Sequence, residues 1–131
     1  FLAENPDFAR ACEDAGLIFI GPTSGVITNL GNKVIAREIM AEANIPMVPG
    51  TPNLSEGEAG VNEALAFAAE YGYPVMLKAT SGGGGRGMKV ARTAAEMEKA
   101  FMTARAEGKS NFGNDEVYIE KYLGNPRHIE I

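Results

Sequence analysis

Pro74-Val-Met-Leu-Lys78-Ala-Thr-Ser-Gly82-Gly-Gly-Gly-Arg86-Gly87-Met88-Lys89-Val90 reads as a strand ending on a lysine, a glycine-rich loop, and a returning strand. Four adjacent glycines remove every Cβ, so backbone N–H groups can approach an anion and form a concave nest, at an entropic cost to ordering the loop. A loop that only reversed the chain would need two or three residues. Gly82-x-Gly84-x-x-Gly87 matches the dinucleotide fingerprint in form, but that fingerprint opens a helix, and Met88-Lys89-Val90 continues as a strand. A P-loop fails because Met88 stands where its lysine belongs. The protein-kinase glycine loop precedes its strand lysine, whereas Lys78 comes before these glycines. The pattern left is a lid over phosphates with Lys78 as a point charge, and Arg86 within the loop favours an anion over a merely flexible hairpin tip.

Val117-Tyr-Ile-Glu120-Lys121-Tyr122-Leu123, followed by Gly124-Asn-Pro-Arg-His128-Ile-Glu130-Ile131, is the second informative stretch. A strand end of this composition can set a carboxylate and backbone amides at the edge of a base, with aliphatic groups on the ring faces. Taken alone, it is an edge strand with solvated Glu and Lys. By the same reasoning His128 is a surface histidine, Lys33 a solvated helix-start charge, and Met76 and Met88 core filler.

Around these segments the pattern predicts a helix from Asn5 or Asp7 through Asp14, stopped at Gly16, and a buried strand over residues 17–20. Thr23 or Ser24 opens a short helical turn. Asn32 or Lys33 starts a longer helix through Ala43, with Val34, Ile35, Ile39 and Met40 facing inward. Residues 48–60, rich in Pro, Gly, Thr, Asn, Ser and Glu, mark a linker and a domain change. Residues 61–71 read as an amphipathic helix, 74–78, 88–91 and 117–122 as strands, and Thr93 caps a helix carrying Met97, Ala100, Phe101 and Ala104. Alternation of strands and helices gives the α/β class.

At 131 residues, 45% apolar and 22% charged, the chain is suited to an ordinary folded core. A net charge of −5 argues against nucleic-acid or anionic-membrane binding by bulk charge, so phosphate chemistry has to be local. The single Cys12 and single His128 exclude an intramolecular disulfide and a Cys/His metal cluster, which fits a reducing cytoplasm. No apolar run spans a membrane and no signal peptide opens the chain. The start at Phe1 and the alternating pattern at the end suggest a piece of a longer protein.

Together these landmarks resemble the biotin carboxylase family of ATP-grasp enzymes, found in acetyl-CoA, propionyl-CoA, methylcrotonyl-CoA and pyruvate carboxylases. The resemblance is carried by Phe19-Ile-Gly-Pro22, Gly31-Asn-Lys33, Ile45-Pro-x-Val-Pro-Gly50, Gly72-Tyr-Pro-Val75, Lys78-Ala79, Gly82 to Met88, Glu120-Lys-Tyr-Leu123 and Asn125-Pro-Arg-His128. Asn32 departs from it, standing where Asp is frequent. The resemblance implies the end of a Rossmann-like N-terminal domain over residues 1–47, an α+β ATP-grasp lid over 48–122, and the start of a C-terminal ATP-grasp domain over 123–131.

The resemblance also implies roles. Lys33 and Lys78 would contact ATP phosphates, and the Gly84 and Gly85 amides would cover the β- and γ-phosphates. Glu120 would accept from the adenine amino group, with the backbone of Lys121, Tyr122 and Leu123 at the ring edge. Met76, Met88 and Leu123 would pack on the adenine faces, and His128 would lie near the ribose. The parent enzyme would use ATP, Mg2+ and bicarbonate to carboxylate biotin on a biotin carboxyl carrier protein, by way of carboxyphosphate. It would work with a carboxyltransferase component, as a homodimer, in the cytoplasm (or the mitochondrial matrix of a eukaryote), in pathways such as fatty acid biosynthesis. The magnesium ligands and catalytic arginines would lie past Ile131, leaving no catalytic or metal-binding residue here and little activity in the piece alone. A carbamoyl-phosphate synthetase large chain, a non-catalytic nucleotide-binding module and a dinucleotide-binding oxidoreductase are the competing readings.

Overall fold

The computed structural model describes residues 2–81, 85–127 and 129. The chain divides into two compact units, Phe1–Met47 and Val48–Ile131.

Local signals build the first unit. Helix α1, Pro6–Asp14, has Pro6 at its first position and Asn5 as N-cap, whose side chain accepts from the Phe8 N–H at 2.9 Å. Thr23 caps α2, Ser24–Gly31, and Asn32 caps α3, Lys33–Glu42, by accepting from the Val34 and Ile35 N–H groups. Glu13 joins the end of α1 to the start of α2, accepting from the Ser24 N–H at 3.0 Å and its hydroxyl at 2.8 Å. Those two bonds, the backbone one foremost, hold its carboxyl below its ordinary range.

Two expectations fail in this unit. Residues 17–20 form no strand, and Ile18 and Ile20 are 93% and 96% exposed. A strand needs a neighbour to pair with its N–H and C=O groups, and every described element of this unit is helical. Helix α3 has no buried residue: Val34, Ile39 and Met40 are half-buried and Ile35 is exposed.

The second unit holds a sheet of three strands, β1 (Val75–Ala79), β2 (Met88–Ala91) and β3 (Val117–Lys121), ordered β2-β1-β3 and antiparallel at both seams. Helices α4 (Gly57–Tyr71) and α5 (Ala94–Phe112) pack against it. Val75, Leu77 and Ala79 alternate down one face of β1 and join Val117, Ile119, Phe101, Met97, Ala64 and Phe67 in the core. The mixed helix-and-sheet class is as expected, here as helices on one face of an antiparallel sheet. Helix α4 begins four residues ahead of the expected start at Val61. Thr93 sits at the N-cap of α5 without a side-chain cap bond, and Glu96 instead accepts from the Arg92 N–H at 2.8 Å.

Residues 49–54, expected as linker, run along the free edge of β3. The Lys121 N–H donates to the Pro49 carbonyl, the Thr51 N–H to Ile119 and the Leu54 N–H to Val117, while Leu54 enters the core. Backbone pairing rather than side-chain patterning orders this stretch, so composition alone reads it as loose.

Candidate functional site

The period of two in β1 turns Met76 and Lys78 to the face opposite the core. Register then assembles their surroundings: Glu120 is the partner of Met76 across one seam, and Met88 the partner of Lys78 across the other. The Lys78 ammonium pairs with the Glu120 carboxylate, with side chains 22% and 15% exposed. At that burial the pair is shielded from bulk water and its geometry is more constrained than that of a surface pair.

These groups line a cavity of about 380 Å³ together with Lys121, Tyr122 and Leu123. Seven of the residues singled out from the sequence, Met76, Lys78, Met88, Glu120, Lys121, Tyr122 and Leu123, therefore meet at one place. Val48, Gly124 and Pro126 complete the lining. Val48 belongs to the Ile45-Pro-x-Val-Pro-Gly50 landmark, but the motif alone gives it no site role, because it arrives through the pairing of residues 49–54 with β3. Lys33 opens α3 in the first unit. Gly84 and His128 lie outside the described residues.

The backbone at the end of β3 narrows one expectation. The Lys121 N–H is used by the Pro49 carbonyl at 2.9 Å and the Tyr122 N–H by the Pro74 carbonyl at 3.3 Å. The Lys121 ammonium turns to the Gly72 and Tyr73 carbonyls at 3.0 and 3.2 Å. Of the three ring-edge amides, Leu123 alone has an N–H with no bond among the described residues, and its side chain is half exposed beside the cavity. The peptide donor left at this end of β3 is therefore the Leu123 N–H.

Both roots of the glycine loop are fastened. On the β1 side the Thr80 N–H donates to the Glu116 carbonyl at 2.9 Å, the Thr80 hydroxyl to Asn53 Oδ1 at 2.6 Å, and the Asn114 amide to Ser81 Oγ at 3.1 Å. On the β2 side Ala79 N–H donates to the Gly87 carbonyl at 2.8 Å. Gly85, at φ +81°, lies next to the Met88 side chain, and Arg86 is exposed. Chemically, the arrangement offers a cation–carboxylate pair, two thioether side chains and a peptide donor around a slot of ligand size, beside a loop rich in N–H groups. Among the described residues no cluster of acidic, His or Cys side chains could hold a metal ion.

The family model for the biotin carboxylase N-terminal domain matches residues 1–27, and that for the carbamoyl-phosphate synthase L chain ATP binding domain matches residues 32–131. The chain is 47% identical over its whole length to biotin carboxylase 1 of Bacillus subtilis, of which it covers 28%, and 49% identical to pyruvate carboxylase of Komagataella pastoris, of which it covers 11%. The chain thus spans 11% to 28% of the length of these curated relatives. Among solved structures, a biotin carboxylase–β,γ-ATP complex from Campylobacter jejuni matches 97% of the chain at a TM-score of 0.85 and 40% identity, the chain covering 28% of it. The biotin carboxylase domain dimer of 2-oxoglutarate carboxylase from Hydrogenobacter thermophilus, in complex with MgADP, ADP and bicarbonate, matches 95% at 0.81 and 43%, with 27% of it covered. With the N-terminal model beside the ATP-binding one, and with biotin carboxylases 47–50% identical over the whole of this chain or nearly so, the chain belongs to the biotin carboxylase family.

Proposed function

We propose that this chain is the nucleotide-gripping part of a biotin-dependent carboxylase, and that the cavity beneath the glycine loop takes the adenine and phosphates of ATP. The observation that carries this is the convergence of Lys78, Glu120, Met76, Met88 and Leu123 on one cavity of about 380 Å³, within the size range of small-molecule sites. The thioethers of Met76 and Met88 and the Leu123 side chain suit the two faces of a planar base. The Glu120 carboxylate accepts only, so it suits an exocyclic amino group, and the Leu123 N–H suits a ring nitrogen. Lys78, one residue before the end of β1, supplies positive charge on the side from which the loop departs, and Gly84 and Gly85 would add N–H donors to the phosphates. Lys33 and His128 are proposed as further contacts to the phosphates and ribose.

The full protein would use ATP with Mg2+ to activate bicarbonate and carboxylate biotin held on its carrier protein, then hand it to a carboxyltransferase component. This is supported by relatives named as biotin and pyruvate carboxylases and by a solved relative holding MgADP and bicarbonate. In that reaction the residues of this chain bind and orient. Lys78 neutralises phosphate charge, the Glu120 contact selects the base, and the loop excludes water from the phosphates. The metal-binding carboxylates and the reacting groups would come from the remainder of the protein, which we propose is cytoplasmic, or mitochondrial in a eukaryote, and homodimeric. The piece alone would be inactive.

The test is calorimetry of MgATP binding to the full carboxylase, with and without Lys78→Ala. Removing one partner of a shielded charge contact costs about 2–5 kcal/mol, so the variant should bind at least ~30-fold more weakly. Equal binding by the two proteins would reduce Lys78 to an ordinary strand-end charge.

A further inference from the structure

The loop root on the β2 side has a partner that the nucleotide reading does not use. Glu107, near the end of α5, sends one carboxylate oxygen to the Gly87 N–H at 3.2 Å and the other to the Lys89 ammonium at 2.6 Å. Gly87 is buried, its carbonyl is already bound by the Ala79 N–H, and its φ of +71° is one that L side chains rarely adopt. Both polar groups of this one peptide position are therefore fixed, one by the sheet and one by a helix.

The approach of helix to loop has a cause in the residues. A Cβ at Gly87 would stand 2.8 Å from the Ala79 Cβ, and one at Gly108 would stand 3.1 Å from that same Cβ and 2.7 Å from the Asn114 carbonyl oxygen. Gly87 and Gly108 thus pack with only the Ala79 methyl between them, which lets α5 lie against the end of β1 and brings Glu107 within reach of the loop root. A solvent-exposed Glu–Lys pair by itself contributes little. Here Lys89 orients the carboxylate while its second oxygen holds a buried peptide, and the Lys89 bond, the desolvation it opposes, and the Gly87 bond together leave the Glu107 carboxyl below its ordinary range, ionised and an acceptor only.

We infer that Glu107 is a positioning residue for nucleotide binding: it fixes Gly87, the C-terminal root of the glycine loop, and with it the backbone that leads into Met88 at the nucleotide cavity. The inference rests on the ATP reading above. It acts through Gly87, with no contact between Glu107 and nucleotide. Ordering a glycine-rich segment is entropically costly, and each end already fixed lowers the part of that cost charged to binding.

The experiment uses the full-length carboxylase with Glu107→Ala, Glu107→Gln and Lys78→Ala side by side, measuring MgATP affinity by calorimetry, the KM values for ATP and bicarbonate, and Tm. Glu107→Ala should weaken MgATP binding about fivefold to tenfold, the scale of one typical hydrogen bond, with the bicarbonate KM unchanged. Glu107→Gln, which keeps an oxygen for the Gly87 N–H, should recover most of the affinity. The inference is overturned if Glu107→Ala binds MgATP like wild type, or if both Glu107 variants lower Tm alike and raise both KM values together. Should Lys78→Ala lose affinity while Glu107→Ala does not, the ATP reading survives and this inference falls; should neither variant lose it, both fall.

Discussion

The two compact units differ in what holds them. In Phe1–Met47 the described core amounts to Ala9 and Ser24, and order comes from helix caps at Asn5, Thr23 and Asn32 and from the Glu13–Ser24 bonds. In Val48–Ile131 a sheet and two helices bury Phe101, Leu77, Met97, Ile119, Val75 and Val117 almost completely. Caps act within a few residues and contribute about 1 kcal/mol each, whereas burying a large apolar side chain contributes about 1.5–3 kcal/mol. Helices can be written locally while a binding surface cannot: the cavity sits on the unit whose sheet is backed by a core, where Met76 and Lys78 are held from behind by Val75, Leu77 and Ala79.

Emptying the second unit's core has the largest expected effect. Leu77→Ala should destabilise it by about 2–5 kcal/mol, read as a lower denaturant midpoint, and amides of β1 should lose their hydrogen-exchange protection while those of α1 keep theirs. Gly87→Ala should cost about 1–3 kcal/mol, because a β-carbon must occupy a left-handed backbone against Ala79. In the first unit, Asn32→Ala removes the acceptor for two N–H groups of α3 and should cost about 1 kcal/mol, seen as fraying of α3 in amide exchange. Ile20→Thr, at a side chain 96% exposed, should change the stability of this chain by less than about 0.5 kcal/mol; a cost like that of Leu77→Ala would mean that residues 17–20 are buried after all.

Acid should act on both units by a smaller margin, through Glu13 in the first and through two carboxylates in the second. The Arg105 guanidinium, bonded to Asp115 at 2.6 Å, holds that carboxyl below its ordinary range, and Ser55 does the same for Glu63 through its hydroxyl and N–H. A depressed folded pKa contributes stability above the ordinary carboxylate range near ~4, and that stability is lost as pH falls through the folded value. The second unit should therefore weaken progressively below about pH 4, and Asp115→Asn should flatten that slope in denaturant midpoints taken against pH. An unchanged slope would assign the acid sensitivity to other groups.

Much of this was legible along the chain. Lys78 before a glycine loop, a strand returning at Met88, and Glu120 ahead of Leu123 are local facts of residue type and spacing, and β2 appears over Met88–Ala91 as its alternation requires. Caps at Asn5 and Thr23 follow equally from side-chain chemistry within one helical turn. The sequence by itself also determined that Met76 and Lys78 share a face, since a strand's period of two admits no other outcome.

Tertiary structure alone decided which partners those faces would meet. Antiparallel register set Glu120 and Met88 beside Lys78, pairing with β3 turned a Pro- and Gly-rich stretch into a sheet edge that brings Val48 to the cavity, and three residues lacking long side chains let α5 reach Gly87. Residues 17–20 make the same point in reverse, being apolar enough for a strand and yet unpaired within their unit. A strand's hydrogen bonds are made with residues distant in sequence, so patterning fixes which side chains share a face, and only the assembled fold fixes what lies across from them.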